Sequence, residues 1–296
     1  MNGIIVIDKP QGMTSHDVVS FLRRETGVKH IGHSGTLDPM ATGVLPVFIG
    51  KATRIIEYSG KPDDREAKLY RCRMRLGIET DTQDIWGKTL SESNNLRYID
   101  PLDIEYSLKS FEGPGKQKPP MYSAVKIGGR KLYEYARKGI DLDENLIKER
   151  SIYIKQIDVK HIDMDVGEVC FEALCSKGVY IRTLCADAGR QLGCGAVMSG
   201  LIRLRSDGFS IESAFSYENL KNRELPQLLP MDYPLTWMTR IDLDEDIAMD
   251  FVHGKNIEYK NFKIQPGSIR VYAGDTFIGI GKNIGGTSIK PEKVFV

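Results

Sequence analysis

A single carboxylate stands in a run of small residues, GHSGTLDPMATG over 32–43, with a proline directly after Asp38. Three chemistries suit an acid in that setting. With His33 and Ser34 beside it, Asp38 invites a nucleophilic triad, but triad members are assembled by geometry and not by adjacency in sequence. Glycoside hydrolysis needs a second acid across a cleft, a placement that sequence alone neither supplies nor excludes. The plainest role is an Asp that caps a turn before Pro39. Gly35, Thr36 and Gly43 let backbone approach a sugar or phosphate, or else only make a tight turn. Other chemistries fail on spacing. A phosphate loop around Gly50-Lys51 requires a glycine where Leu45 stands and a hydroxyl where Ala52 stands. No GxGxxG, HExxH or GxSxG occurs.

The elements that must position this loop are readable from period and punctuation. GIIVIDKP is a short buried strand stopped by proline, and SHDVVSFLRRETG a helix, with Ser15 as its cap and Gly27 as its end. VLPVFIG starts another strand. KLYRCRMRLG alternates, with Tyr70, Cys72, Met74 and Leu76 on one face and three arginines on the other, as a half-buried strand does. EVCFEALCSKG predicts a strand and VYIRTLCADAGRQLG a helix. Residues 113–140, punctuated by glycine and proline, predict a mobile binding arm with a short helix at RKLYEYARKG. After LPQLLPMDYPLTW and an acidic bridge, RIDLDEDIAMD, come short strands and glycine turns. A boundary is therefore expected near 240, with domains at 1–238 and 239–296, the second small and β-rich.

The bulk composition suits an ordinary globular protein: 296 residues, 41% hydrophobic and 27% charged. Five cysteines without a CxxC pair argue for free thiols in a reducing compartment rather than a disulfide framework or zinc site. The apolar stretch in MNGIIVIDKPQG is too short for a signal peptide or a membrane span, so a cytoplasmic protein is expected. Net charge is +1, yet 116–138 carries seven basic side chains against one acidic, so the rest of the chain is net acidic. Such a concentrated basic patch is what nucleic acid binding requires.

Taken together, DKPQGMTSHDVV, GHSGTLDPMATGVLPVFIGKATR, KLYRCRMRLGIETDTQDIWG, KPPMYSAVKIGGRKLYEYARKG and CSKGVYIRTL closely resemble the TruB family of tRNA pseudouridine synthases. Five ordered motifs run in register from residue 3 to about 210. The last stretch resembles, more weakly, a small PUA RNA-binding domain. The resemblance implies an α+β pseudouridine-synthase fold, with a mixed, mainly antiparallel central sheet flanked by helices and a C-terminal PUA-like module. It implies isomerisation of uridine 55 in the tRNA T stem-loop, with no cofactor or metal. Asp38 falls on the family's essential aspartate, which attacks the ribose C1′ or deprotonates C2′. Arg182 matches the arginine that pairs with it. A guanidinium there suits the chemistry, since burial alone would protonate the acid.

The remaining roles follow from the same match. Tyr70 falls on the tyrosine that stacks on the flipped uracil, and His33 on the histidine that fills the space the nucleotide vacates. Tyr180 and Leu201 fall on pocket-lining positions, and Lys9 and Pro10 on residues that buttress the catalytic loop. Lys126, Arg130 and Lys131 are the expected phosphate contacts of the arm, with Tyr122, Tyr133 and Tyr135 as stacking candidates. Val197 and Ile202 depart from the family pattern, which commonly has His and Arg there. A monomer acting without guide RNA or protein partner is expected. An RNA-binding or RNA-folding protein whose isomerase activity is incidental or lost, and a guide-dependent relative of dyskerin, are the alternatives; the set of Asp38, Tyr70 and Arg182 argues against loss, and the tRNA-type arm against guide dependence.

Overall fold

The computed structural model describes residues 1–61, 64–93, 95–140, 142–222, 224, 226–259 and 266–295. In chain order the elements of the first part are β1 (Gly3–Lys9), α1 (Ser15–Thr26), β2 (Ile31–His33), β3 (Thr42–Ile49), β4 (Lys68–Leu76), β5 (Ile78–Thr80), β6 (Thr89–Glu92) and α2 (Pro101–Lys109). Then come β7 (Gly113–Gln117), β8 (Lys126–Ile127), β9 (Arg130–Lys131), α3 (Leu132–Arg137), β10 (Arg150–Asp163), β11 (Glu168–Cys175), α4 (Ile181–Gln191), β12 (Ala196–Ser206), β13 (Phe209–Ser210), β14 (Phe215–Ser216) and α5 (Tyr217–Lys221). The last part holds β15 (Thr239–Asp242), α6 (Glu245–Val252), β16 (Ile257–Glu258), β17 (Gly267–Ala273), β18 (Thr276–Gly285) and β19 (Ser288–Val294).

The large sheet runs β14-β1-β3-β12-β4-β11-β10-β7, with β2 on β3 and β13 on β12. Only the β1–β14 and β3–β12 pairs are parallel, so the α+β class and the mixed, mainly antiparallel sheet are as the resemblance implied. β1 reads as an unbroken apolar run because both its faces are covered. Ile5 and Ile7 join the core under α1 and α4, while Ile4 and Val6 join a second core on the opposite face. β4 instead alternates, burying Tyr70, Cys72, Met74 and Leu76 and turning Arg71 and Arg73 out. All five cysteines are free thiols; Cys72 on β4 and Cys185 on α4 pack with sulfurs 3.6 Å apart.

A second sheet, β15-β17-β18-β19-β16, begins at Thr239 and has its own core around Phe251 and Val271. Ile280 and Phe295 from it also enter the second core of the large sheet, with Phe48 and Ile55. The two sheets therefore share apolar contact, and Lys51 and Arg54 reinforce it by donating to the carbonyls of Phe295 and Val294.

Three local expectations need correction. The cap of α1 is Thr14, not Ser15: its hydroxyl accepts from Asp17 N, and the Asp17 carboxylate accepts from Thr14 N, a reciprocal capping box. GPGKQ is not the start of a loose arm but an edge strand, β7, paired with β10; the arm proper begins after Gln117. An edge tolerates this composition because one side of the ladder needs no partner. RIDLDEDIAMD is not a bridge: it supplies β15, parallel to β17, and α6.

Candidate active site

A cavity of about 460 Å³ opens where the Asp38 loop, β4, the start of α4 and β12 meet. His33, Asp38, Tyr70, Tyr180, Arg182 and Leu201 all line it. Lys9 and Pro10 do not; they sit behind the loop. Lys9 is fully buried, and its ammonium donates to the carbonyls of Pro10 (2.8 Å) and Met13 (2.7 Å). Burial lowers its pKa to about 8, against the opposing pull of Asp38.

The loop is held from three sides. Leu37, Met40 and Ala41 anchor it in the core. Ser15, freed from capping, accepts from Leu37 N at 2.8 Å and donates to Leu37 O at 3.2 Å, and Gly12 N donates to Pro39 O at 2.8 Å. From below, Arg203 donates through Nε to Val44 O (2.7 Å) and through Nη2 to Gly35 O (2.9 Å), one carbonyl at either end of the loop. Glycine is required at 43: φ is +98°, and a Cβ there would lie 2.3 Å from Arg203 O.

Arg182 projects from the first turn of α4 and is 4% exposed. Its Nε meets Asp38 Oδ2 at 2.9 Å, Nη1 donates to Thr82 O at 3.0 Å, and Nη2 to Tyr122 O at 2.9 Å. One guanidinium thus ties together the Asp38 loop, the segment after β5 and the root of the arm. A cation at a helix N-terminus opposes the macrodipole, and the Asp38 carboxylate offsets it. Asp84 Oδ2 lies 3.8 Å from Nη1, and burial raises its pKa despite hydrogen bonds from Thr82 and Trp86 N. The Asp38 side chain, 36% exposed, stands at the mouth of the cavity rather than fully enclosed.

Tyr70 and Leu201 lie on the cavity wall, each 8% exposed. Burial pushes the Tyr70 hydroxyl up to about 12, partly countered by the Arg203 guanidinium. Tyr180 is fixed by a reciprocal amide bridge: its N–H donates to Gln117 Oε1 (2.8 Å), and Gln117 Nε2 donates to its carbonyl (3.0 Å). Burial, with Arg203 nearby, lowers the His33 pKa to about 4, and His33 Nδ1 is buried without a partner. The hydroxyls of Ser34 and Ser123, also in the lining, are buried and unpartnered too. These, with the likewise orphaned Ser59 hydroxyl of the same lining, are groups that a polar ligand would complete.

Lys126, Arg130 and Lys131 lie apart from the cavity, on the β8–β9 hairpin. Gly128 and Gly129 make its two-residue turn with φ of +57° and +84°. Register places Lys126 opposite Lys131, a like-charge pair that an anion would stabilise. Two of the tyrosines named as stacking candidates are engaged within the arm. Tyr135 donates to Ile127 O at 3.0 Å, and Tyr133 lies against Lys131 and Arg137. Of the departures from the family pattern, Val197 is fully buried, whereas Ile202 is 38% exposed.

Sequence reasoning missed Ser15 as a clasp, Gln117, Asp84 and the buried basic wall of Lys68 and Arg203 beside Asp207, with the more exposed Lys177 at its rim. A signal existed for Arg203: alternation from inward-facing Leu201 puts residue 203 on the same face. Among the described residues no three His, Cys, Asp or Glu side chains gather to hold a metal, and no helix is long and apolar enough to cross a membrane.

Family models match the chain in three consecutive stretches. These are the TruB family pseudouridylate synthase N-terminal domain over 23–181, the tRNA pseudouridylate synthase B C-terminal domain over 182–236, and the pseudouridine synthase II TruB C-terminal region over 239–295. The chain is 44% identical to tRNA pseudouridine synthase B of Alkaliphilus oremlandii, over 95% of this chain and 93% of that one. It is 38% identical to the Clostridioides difficile protein of the same name over all of both. Among solved structures it resembles a chain of a Cbf5-Nop10-Gar1 complex at a TM-score of 0.71 and 25% identity, covering 99% of this chain and 85% of that one. It also resembles a chain of an H/ACA RNP bound to a substrate RNA containing 2′-deoxyuridine, with a TM-score of 0.70 at 23% identity, a likeness of fold.

Proposed function

The chain belongs to the TruB family of pseudouridine synthases, and we infer that Asp38 is the group through which it isomerises uridine 55 of the tRNA T arm to pseudouridine. The observation that carries this reading is the Asp38–Arg182 ion pair at the mouth of a cavity lined by Tyr70. A base inside a folded RNA arm must leave its stack to be reached, and the cavity receives it. Tyr70 offers a ring face to the uracil, and His33 occupies the place the nucleotide leaves. Tyr180 and Leu201 close the sides. The guanidinium aims the carboxylate, whether Asp38 then attacks C1′ or removes the C2′ proton. The reaction is an isomerisation, so it balances without a redox partner.

Phosphate contact falls to the hairpin. Lys126, Arg130 and Lys131 add salt-dependent affinity and little sequence information. Residues 1–238 are the catalytic domain and 239–296 a small PUA-like RNA-binding module. The enzyme works in the cytoplasm as a monomer, without guide RNA or protein partner. The strong likeness to tRNA pseudouridine synthase B over nearly the whole chain supports that reading, whereas the likeness to chains of the Cbf5-Nop10-Gar1 and H/ACA RNP complexes is at 23–25% identity.

The test is an unmodified tRNA transcript incubated with purified protein, followed by mapping of pseudouridine. Product at position 55 without guide RNA is expected, and its absence overturns the stand-alone reading. Asp38→Asn should bind the transcript and form no product. Turnover by that variant removes Asp38 from the mechanism.

A further inference from the structure

The cavity has two charged ends. Asp38 and Arg182 hold the mouth, and another wall carries the buried Lys68 and Arg203 beside one carboxylate, Asp207, with the half-exposed Lys177 at its rim. Lys68 is 5% exposed; its ammonium donates to Ser206 Oγ and Asp207 Oδ2, both at 2.7 Å. Lys177 meets the other oxygen of Asp207 at 3.2 Å. Arg203 is buried, and its described partners are two backbone carbonyls and the Tyr70 hydroxyl. Two buried cations, Lys68 and Arg203, face one buried carboxylate, while the Lys177 side chain is 49% exposed; the buried part of the wall thus carries an excess of positive charge, an arrangement that costs free energy unless an anion joins it.

The local backbone keeps that space open. A Cβ on Gly35 would lie 3.2 Å from both Lys68 Nζ and Arg203 Nη1, and φ of +75° makes glycine the fitting residue there. Asp207 is placed here by the β12–β13 hairpin, whose two-residue Asp207-Gly208 turn holds φ of +52° and +87°, the conformation that an Asp-Gly pair favours.

The reaction generates an anion in this cavity. When the C1′–N1 bond breaks, its electron pair leaves with N1, and the free uracil carries a negative charge spread over N1, O2 and O4. This holds whether C1′ is taken by the Asp38 carboxylate or the base is eliminated after loss of the C2′ proton. Recoupling then forms the C5–C1′ bond as the Asp38–C1′ ester bond breaks or, on the elimination route, as the proton returns to C2′; C5 loses its proton, and N1 gains one. No co-reactant enters.

We propose that Lys68, supported by Arg203, is a catalytic residue that stabilises the detached uracil as its anion at this wall of the cavity. The proposal rests on the pseudouridine synthase reading. Positive groups fixed where charge develops need no reorganisation when it appears. Burial lowers the Lys68 pKa to about 8, as expected of an ammonium held in a surplus of positive charge. The competing anion is a phosphate of the same RNA strand, which would engage Lys68 in binding and not in bond cleavage.

The experiment compares the parent enzyme, Lys68→Met, Lys68→Arg and the double variant Lys68→Met/Asp207→Asn. Each acts in single turnover on T-arm RNA carrying uridine or 5-fluorouridine at the target, and the rate read is loss of the N1-linked nucleotide, because 5-fluorouracil has no C5 proton to lose after recoupling. The fluorinated base is the more acidic leaving group and needs less help. Lys68→Met should lose on the order of 10²- to 10³-fold in rate at saturating uridine RNA, as when one donor is removed from developing charge. It should lose distinctly less on 5-fluorouridine RNA, with RNA affinity kept, and Lys68→Arg should recover part of the rate. The double variant, which removes both partners of the buried pair and so protects the fold, should stay as slow as Lys68→Met. Three results overturn the proposal: a double variant as fast as the parent, equal losses on both leaving groups, or weakened binding with an unchanged saturated rate. Failure of the parent to form product would instead defeat the underlying functional reading.

Discussion

Arg182→Lys keeps the charge beside Asp38 and removes the fork. The guanidinium serves three acceptors on three segments, at 2.9 Å to Asp38, 3.0 Å to Thr82 O and 2.9 Å to Tyr122 O. A single ammonium on a shorter stem reaches one of them. If it follows the carboxylate, two charge-assisted bonds to carbonyls are lost, each about 1.5–3 kcal/mol. Water entering the cavity recovers part, so the net destabilisation is about 2–4 kcal/mol. For a chain of this size that lowers the melting temperature by roughly 3–6 °C. The catalytic effect is separate. Asp38 would keep a cation but lose the rigid frame that aims it, and a misplacement near 1 Å costs about 10²-fold in rate. Thermal unfolding by circular dichroism and single-turnover pseudouridine formation measure the two effects. A variant that melts lower yet reacts as fast as the parent refutes the claim that the fork, beyond its charge, positions Asp38.

Ser15→Ala should slow the reaction, because both bonds to Leu37 in the Asp38 loop are lost at a cost of about 1–2 kcal/mol. Thr14→Ala should lose a similar amount, about 1 kcal/mol, through the helix cap while leaving the saturated rate unchanged. Equal effects of the two on rate would deny Ser15 its role as a clasp. On the acid side, His33 has a folded pKa of about 4 against 6.5 for the model group. Between those values the unfolded chain binds more protons, so stability rises with pH there and is lost as pH falls through that window. The slope is at most about 1.4 kcal/mol per pH unit. His33→Gln should flatten it in denaturant titrations from pH 4 to 6.5, and an unchanged slope would place the sensitivity elsewhere. Neutralising Lys126, Arg130 and Lys131 together should reduce the log–log salt slope of RNA binding by about 2–3; an unaltered slope would remove the hairpin from phosphate contact.

The residues legible in the sequence are those whose surroundings are local. The alternation of β4 announces which face Tyr70 shares, and the period of α4 puts Arg182 in its first turn. GPGKQ misleads because composition reports a preference for turns, whereas an edge position on β10 supplies the hydrogen bonds that make it a strand. Ser15 misleads differently: Thr14 takes the cap with Asp17, which frees the serine for a loop residue 22 positions on. The basic wall is the hardest case. Lys68 and Arg203 look like ordinary surface charges, since lysine and arginine are rarely buried alone. What buries them is the antiparallel pairing of β4 with β12, which sets Arg203 opposite Tyr70 and Lys68 opposite Ser206, with a register shift between Arg203 and Arg205. Without that shift, strict alternation would carry Arg205 onto the inner face with Arg203. The irregularity therefore decides how many positive charges the wall holds. It is a property of two strands that meet across more than a hundred residues of chain, and neither strand contains it alone.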